Sequence, residues 1–286
     1  MATLRRSESR DDLRVDLAEA RAALAEAAAR TASLLRSAPD PARRVRRSEW
    51  SVGEVGAHLA LGLLAFIEAL GGDDRTVGPY LGPGTFAERL AAVTSGTLEL
   101  EASRDPGTLA ALILERVDAF LVASRSMAAD EVVPTPWYGP GAGLPVATVT
   151  ALLVGEQLVH GWDLAMTLGR AWPVAVPEAH LVIRMVTSMM PLAANPATTS
   201  GLRAVFGVAV RQGGPRFVVA VDRGTVTVEP WGSRPVDCHL SAHPVALMLV
   251  GYGRIGQWAP IARGRLSAWG RRPWLALRFT NLFYNP

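Results

Sequence analysis

"VGEQLVHGWDLAMTLGR", residues 154–170, is mostly apolar yet carries Glu156, His160 and Asp163. At about 100° per residue, a helix brings these three side chains into an arc of roughly 60° on one face. Leu152, Leu153, Leu158, Val159 and Leu164 surround the stripe and are enough to bury the segment. Gly169, followed by Arg170, stands where the helix should end. A buried carboxylate or imidazole without a partner is costly, so the stripe must find one. It can be a structural ion pair or a core-bonded His160. It can also be a metal site, because Glu and His four apart can converge on one ion. The metal reading needs a third ligand from elsewhere in the chain.

"SEWSVGEVGAHLALGLLAFIEAL", residues 48–70, offers a candidate. Ser51 followed by Glu54 makes a capping box that places the helix start, and His58 lies one turn beyond Glu54. A lone histidine on an apolar helix is most often a satisfied core residue. Here, however, two apolar helices each carry an inward imidazole and one adds Glu156, and bundle cores build metal sites from such facing side chains. His58, Glu156 and His160 would leave coordination positions open for water or substrate, as in a catalytic zinc site. The separation between His58 and Glu156 is too long to be diagnostic by itself.

The chain has 286 residues, 49% of them hydrophobic, enough for one large domain or two modest ones. It contains no lysine, so all 29 basic residues are arginine, which excludes Schiff-base, Walker-type and lysine-base chemistry. One cysteine, Cys238, excludes an internal disulfide and a four-cysteine zinc site. A net charge of +3 is small for a nucleic-acid-binding protein. From Cys238 to Pro286 there is no acid, and Arg254, Arg263, Arg265, Arg271, Arg272 and Arg278 give +6; the remainder, 23 arginines against 26 acids, is −3. Such a basic segment can hold an anionic ligand or dock on acidic surface, or simply face solvent. The apolar runs are interrupted by charge or proline and the first residues, "MATLRRSESRDDLR", are polar, so we expect no membrane span, no signal segment and a cytoplasmic location.

Helical periodicity also covers 12–36, about 85–103, 107–127 and 177–190, with a Gly- and Pro-rich loop at 71–85 and Thr148 as a cap for the helix carrying Glu156. After "PLAANPATTSG" the period changes. "LRAVFGVAV", "PRFVVAVD", "GTVTVEPW", "PVDCHLSA" and "GRLSAWG" read as strands, "PVALMLVGY" as a helix and "PWLALRFTNLF" as a terminal helix. The expected architecture is an all-helical bundle over 1–195 followed by a small α+β domain over 200–286.

Other motifs carry less. "GYGRIGQ" matches G-x-G-x-x-G through Gly251, Gly253 and Gly256, but it follows a helix and no acidic residue lies downstream. Cys238 and His239 are neighbours in a strand, so they face opposite sides and cannot pair. His180 and His243 read as helix-start or surface histidines.

"WSVGEVGAHLA" together with "GEQLVHGWDLAMTLGR" resembles the mycothiol-dependent maleylpyruvate isomerase family, within the wider DinB-like metalloenzyme superfamily. The resemblance covers the whole chain and implies a DinB-like helical bundle followed by a small, sterol-carrier-like α+β domain. It implies a divalent metal, zinc above all, on His58, Glu156 and His160, and places the family's Asp on Asp163. A catalytic arginine of the C-terminal domain is assigned to Arg254. The implied partners are mycothiol, as thiol cosubstrate, and a small anionic or electrophilic substrate, with neither nucleic acid nor membrane. A divalent ion lowers the pKa of a thiol it binds. In an isomerase the thiolate would add to an activated cis double bond, allow rotation and leave; in an S-transferase it would stay. A non-enzymatic metal- or apolar-ligand-binding protein is the alternative. The loop near 71–84 and the C-terminal tail look longer than in compact members.

Overall fold

The computed structural model describes residues 12–284. The chain divides into two compact units, Asp16–Pro173 on one side and the residues up to Val15 with Val174 onward on the other.

The first unit is helical. Helix α1 (Leu17–Arg36) starts at Asp16, whose carboxylate accepts from Glu19 N at 2.9 Å. Helix α2 (Val52–Leu70) begins with the reciprocal bonds of its capping box, Ser51 N to Glu54 Oε2 at 2.7 Å and Glu54 N to Ser51 Oγ at 3.2 Å. Helices α3 (Phe86–Leu98) and α4 (Pro106–Ala123) follow, capped by Thr85 and Asp105. Helix α5 (Val146–Leu168) ends at Gly169 in the left-handed conformation, φ 69°. Alanine-rich α1 packs along both α4 and α5, and α2 packs on α4. Leu24, Leu35, Leu63, Leu109, Ile113, Phe120, Leu153 and Leu158 form the fully buried interior.

Two features of this unit differ from the sequence reading. A short antiparallel hairpin, β1 (Val132–Pro134) and β2 (Gly143–Pro145), stands where a loop was expected. Helix α5 therefore starts directly from the hairpin at Pro145, and Thr148 lies in its first turn instead of capping it. Helix α2 is long and apolar enough to cross a bilayer, but 67% of its most apolar window is buried inside the protein.

The second unit carries helix α6 (Val176–Met189), the short α7 (Pro196–Thr199) and strands β3 (Arg203–Val210), β4 (Arg216–Asp222), β5 (Thr225–Pro230) and β6 (Cys238–Ala242). Helices α8 (Pro244–Gly251) and α9 (Trp258–Ala262) and strand β7 (Leu266–Trp269) complete it. The sheet order is β5-β4-β3-β6-β7, antiparallel except for β3 beside β6. The turn joining β4 to β5 has positive φ at both central residues, Arg223 at 48° and Gly224 at 95°, matching the twist of the strands it joins. One sheet face, with Phe206, Val208, Phe217, Val219 and Cys238, packs against Ile183, Met190, Leu275, Phe279 and Leu282.

The boundary at 173/174 corrects the expected one at 195–200. Helix α6 has the same apolar period as the bundle helices, but Ile183 enters the sheet core and His180, buried rather than superficial, makes a 3.2 Å contact to Arg211 O. Residue 12 joins the same unit, its carbonyl accepting from Arg184 Nε at 3.0 Å and its carboxylate from Arg216 N at 2.8 Å. The expected terminal α-helix is instead two 3₁₀ turns, Pro273–Arg278 and Thr280–Leu282. Leu282 O accepts from Asn195 N at 2.8 Å, and Leu275, Phe279 and Leu282 are all buried, so tertiary contacts replace the α-helical ladder. The rest of the polar opening segment lies outside the described residues.

Trp172 secures the end of α5. Its Nε1 donates to Leu158 O at 3.0 Å, and its ring occupies the space beside Gly161, where a Cβ would stand 2.1 Å from Cζ2. We expect Gly161→Ala to destabilise the helical unit by about 1–3 kcal/mol through overpacking, despite alanine's better helix propensity. Denaturant unfolding of the variant beside wild type measures it; equal midpoints would contradict this packing.

Candidate metal centre

Helices α2 and α5 bring His58, Glu156 and His160 to one place. The His58 Nε2 and His160 Nε2 atoms each stand 3.3 Å from the same carboxylate oxygen, Glu156 Oε2. One ligand atom from each residue lies within 4.8 Å of the others. The two imidazole rings meet edge-on with centroids 4.9 Å apart. The capping box fixes where α2 starts and so sets the height of His58, while Glu156 and His160 are locked to each other by helical spacing. All three side chains are partly buried, with 20%, 30% and 13% of their surface exposed for His58, Glu156 and His160.

The electrostatics suit ligation. Burial holds the His58 imidazole below its ordinary pKa, and the neighbouring His160 adds to the drop, against the opposing pull of Glu156. Burial alone would raise the Glu156 carboxyl, but hydrogen bonds with His160 and His58 outweigh it and keep the group ionised far below the usual range. A neutral imidazole and an ionised carboxylate are the forms that bind metals. Two donors bound tetrahedrally at about 2.0–2.1 Å from zinc stand roughly 3.3–3.4 Å apart, the spacing of Glu156 Oε2 from each imidazole. The donor set thus fits a divalent ion in chemistry and scale.

Around the triad, Asp163 Oδ2 lies 3.7 Å from His160 Nδ1, the ring nitrogen turned away from Glu156. Its backbone carbonyl accepts from Thr167 Oγ1 at 2.8 Å, and Thr167 Oγ1 in turn accepts from Arg46 N at 3.0 Å. That link ties the segment before α2 to the end of α5. From this segment the Trp50 ring packs 4.8 Å from His58 and 6.0 Å from His160. Tyr138, in a 3₁₀ turn between β1 and β2, is buried, and burial with the Glu156 charge pushes its phenol well above the usual range. The sequence reading assigned no role to Trp50 or Tyr138. Trp50 had a signal, since it immediately precedes the capping box; Tyr138 lies in a Pro- and Gly-rich stretch with no periodicity to place it.

Arg254 belongs to the other unit, just past α8, where its Nη1 donates to Tyr252 O at 2.8 Å. Cys238 is buried on the core face of β6, and burial raises its thiol, while His239 on the opposite face stacks on Trp269 with ring centroids 5.4 Å apart. Gly253, φ 68°, ends helix α8, so the glycine triplet is a helix terminus and not a strand-to-helix phosphate loop.

The sequence profile of the "Mycothiol maleylpyruvate isomerase N-terminal domain" matches residues 22–165, half of the chain. The chain belongs to this family. Among solved structures it resembles the mycothiol-dependent maleylpyruvate isomerase, at 14% identity and TM-score 0.50, and a variant of that enzyme at 12% identity and TM-score 0.53. Each alignment covers 89% of this chain and 93% of the other, so the likeness spans helical and sheet units alike. A ubiquinone-synthesis protein with an SCP2 domain aligns to 36% of the chain and 92% of its own length at 22% identity, but its TM-score of 0.29 assigns no family to the C-terminal unit. No curated protein matches the sequence.

Metal quantification gives the direct check on this centre. Wild type should copurify with or take up close to one equivalent of divalent metal, whereas His58→Ala should lose most of it. The far-ultraviolet circular dichroism should be unchanged, because the large apolar bundle does not need the site to fold. Asp163→Asn should weaken metal affinity by about 10–100-fold, the usual cost of removing a carboxylate that orients a ligating histidine.

Proposed function

We propose that this protein is a mycothiol-dependent metalloenzyme, acting as a maleylpyruvate isomerase-like cis–trans isomerase or as a mycothiol S-transferase. The observation that carries the reading is the convergence of His58, Glu156 and His160 on one point within the family's own domain. Zinc suits the two-nitrogen, one-oxygen donor set, and a three-ligand site keeps a position open. Bound there, a divalent ion would supply thiolate at neutral pH from a thiol that is otherwise mostly protonated.

The chain's own groups have distinct roles in this reading. His58 and His160 offer neutral nitrogens, and Glu156 supplies the balancing negative charge. Asp163, its carboxylate 3.7 Å from the second ring nitrogen of His160, is the group we assign to orient that imidazole. Trp50 covers one side of the imidazoles and keeps water from it. Cys238, buried with a raised thiol, is no nucleophile, so the reacting sulfur comes from outside the chain. Arg254, in the acid-free terminal segment, is the group we assign to an anionic substrate, for which arginine's fixed fork of donors is suited.

A second reading has one observation of its own. The C-terminal unit has a half-open pocket of about 390 Å³ lined by Leu202, Phe206, Leu275 and Leu282 together with the polar Thr198, Arg278 and Asn281, within the size range of small-ligand sites. It is the observation behind the alternative of a protein that binds a small ligand without turnover.

Incubation of the zinc-loaded protein with mycothiol and a panel of electrophiles that includes maleylpyruvate separates the two. Isomerisation or thiol conjugation, lost in Glu156→Gln, is the expected result; bound zinc with no turnover across the panel would favour the carrier role. Arg254→Gln should keep its metal and raise KM for anionic substrates more than it lowers kcat.

A further inference from the structure

Gly62 lies one turn beyond His58 on α2. A glycine inside a helix weakens it relative to alanine, and close approach of a neighbour is the usual reason for one. That reason accounts for two other glycines of this helix. A Cβ at Gly53 would stand 2.8 Å from Arg104 O, and one at Gly56 would stand 3.0 Å from Leu109 Cδ1. It fails at Gly62, where a Cβ would meet nothing within 4 Å.

The open space lies beside the metal centre. Glu54, His58 and Gly62 are partly exposed positions at four-residue spacing, forming a stripe flanked by the buried Val55, Leu59 and Leu63. The next position of the stripe, Phe66, is buried, with its ring 5.1 Å from that of Trp137. Toward the start of the helix, His58 is covered by the Trp50 ring at 4.8 Å. The imidazole is therefore closed by an indole on one side and open toward Gly62 on the other.

Helical side chains lean toward the N-terminus and cover the preceding turn. Any long side chain at position 62 would lie over His58. We infer that Gly62 is a specificity-determining gap: its missing side chain leaves the seat for the molecule that occupies the ion's open position. That molecule is a low-molecular-weight thiol, with its sulfur toward the His58–Glu156–His160 point and its carbon body along Gly62 toward the Phe66–Trp137 pair. The inference rests on the proposed function, with a metal at the triad and a thiol as its ligand, and adds which side of the site receives that thiol.

The test uses the full-length protein loaded with cobalt(II), in wild type, Gly62→Ala and Gly62→Leu. 2-Mercaptoethanol and benzyl mercaptan serve as probes, read by sulfur-to-cobalt charge-transfer absorption. All three proteins should take up cobalt equally, because position 62 is not a ligand. Gly62→Ala should bind both thiols as wild type does and melt at a higher temperature. Gly62→Leu should bind benzyl mercaptan at least about tenfold more weakly, equivalent to 1.4 kcal/mol. Wild-type affinity for both thiols in cobalt-loaded Gly62→Leu would overturn the gap while leaving the metal site standing. No cobalt uptake in wild type would overturn the metal-site reading and this inference with it; cobalt uptake without a thiol band would overturn this inference and the thiol part of the proposed function while leaving the metal site standing. Should Gly62→Leu fail to fold, as judged by circular dichroism, the flexible Gly62→Met is read in the same way.

Discussion

One carboxylate oxygen shared by two imidazoles is the constraint around which the metal centre is arranged, on a bundle whose apolar core supplies the fold. Glu156 is expensive to desolvate, and only the histidines on either side of it offset that cost. One of them, His160, comes with Glu156 as part of the same helix. The other, His58, must be delivered by α2, so α2 has to start at a defined residue and run at a defined height beside α5. The Ser51–Glu54 capping box and the buried apolar faces of both helices meet that requirement.

The immediate surroundings then follow from how the ends of these helices are tied. Thr167 links the end of α5 to the segment that precedes α2, and this segment carries Trp50 onto the histidines. At the other end, the β1–β2 hairpin feeds directly into α5 and holds Trp137 and Tyr138 against the bundle. Aromatic side chains thus bracket a small charged cluster, a low-dielectric setting in which each charge–ligand interaction is strengthened. The sheet unit is organised by other means, a β-core sealed by α6 and by two 3₁₀ turns near the end of the chain.

Much of this was legible from residue order. The four-residue spacing of Glu156 and His160, the capping box before His58, the helix end at Gly169 and the change from helical to strand period near residue 200 are local signals. Each depends on residues close in the chain, where geometry is set by φ and ψ alone. Non-local choices were not legible. Nothing in the period of α6 says whether its apolar face meets helices or a sheet, and the boundary therefore moved to 173/174. The terminal segment has the composition of a helix, yet its carbonyls are claimed by distant donors.

The sequence by itself determined the donor types, their helical phase and the absence of any lysine or second cysteine that could compete for the chemistry. Local backbone geometry turns those letters into positions on a helix with no further information. Tertiary structure alone decided that His58 meets Glu156, 98 positions further along the chain, that Trp50 covers the two imidazoles, and that Gly62 faces open space instead of a packed neighbour. These depend on how whole apolar faces fit together, a sum over many weak contacts that no short stretch of chain contains.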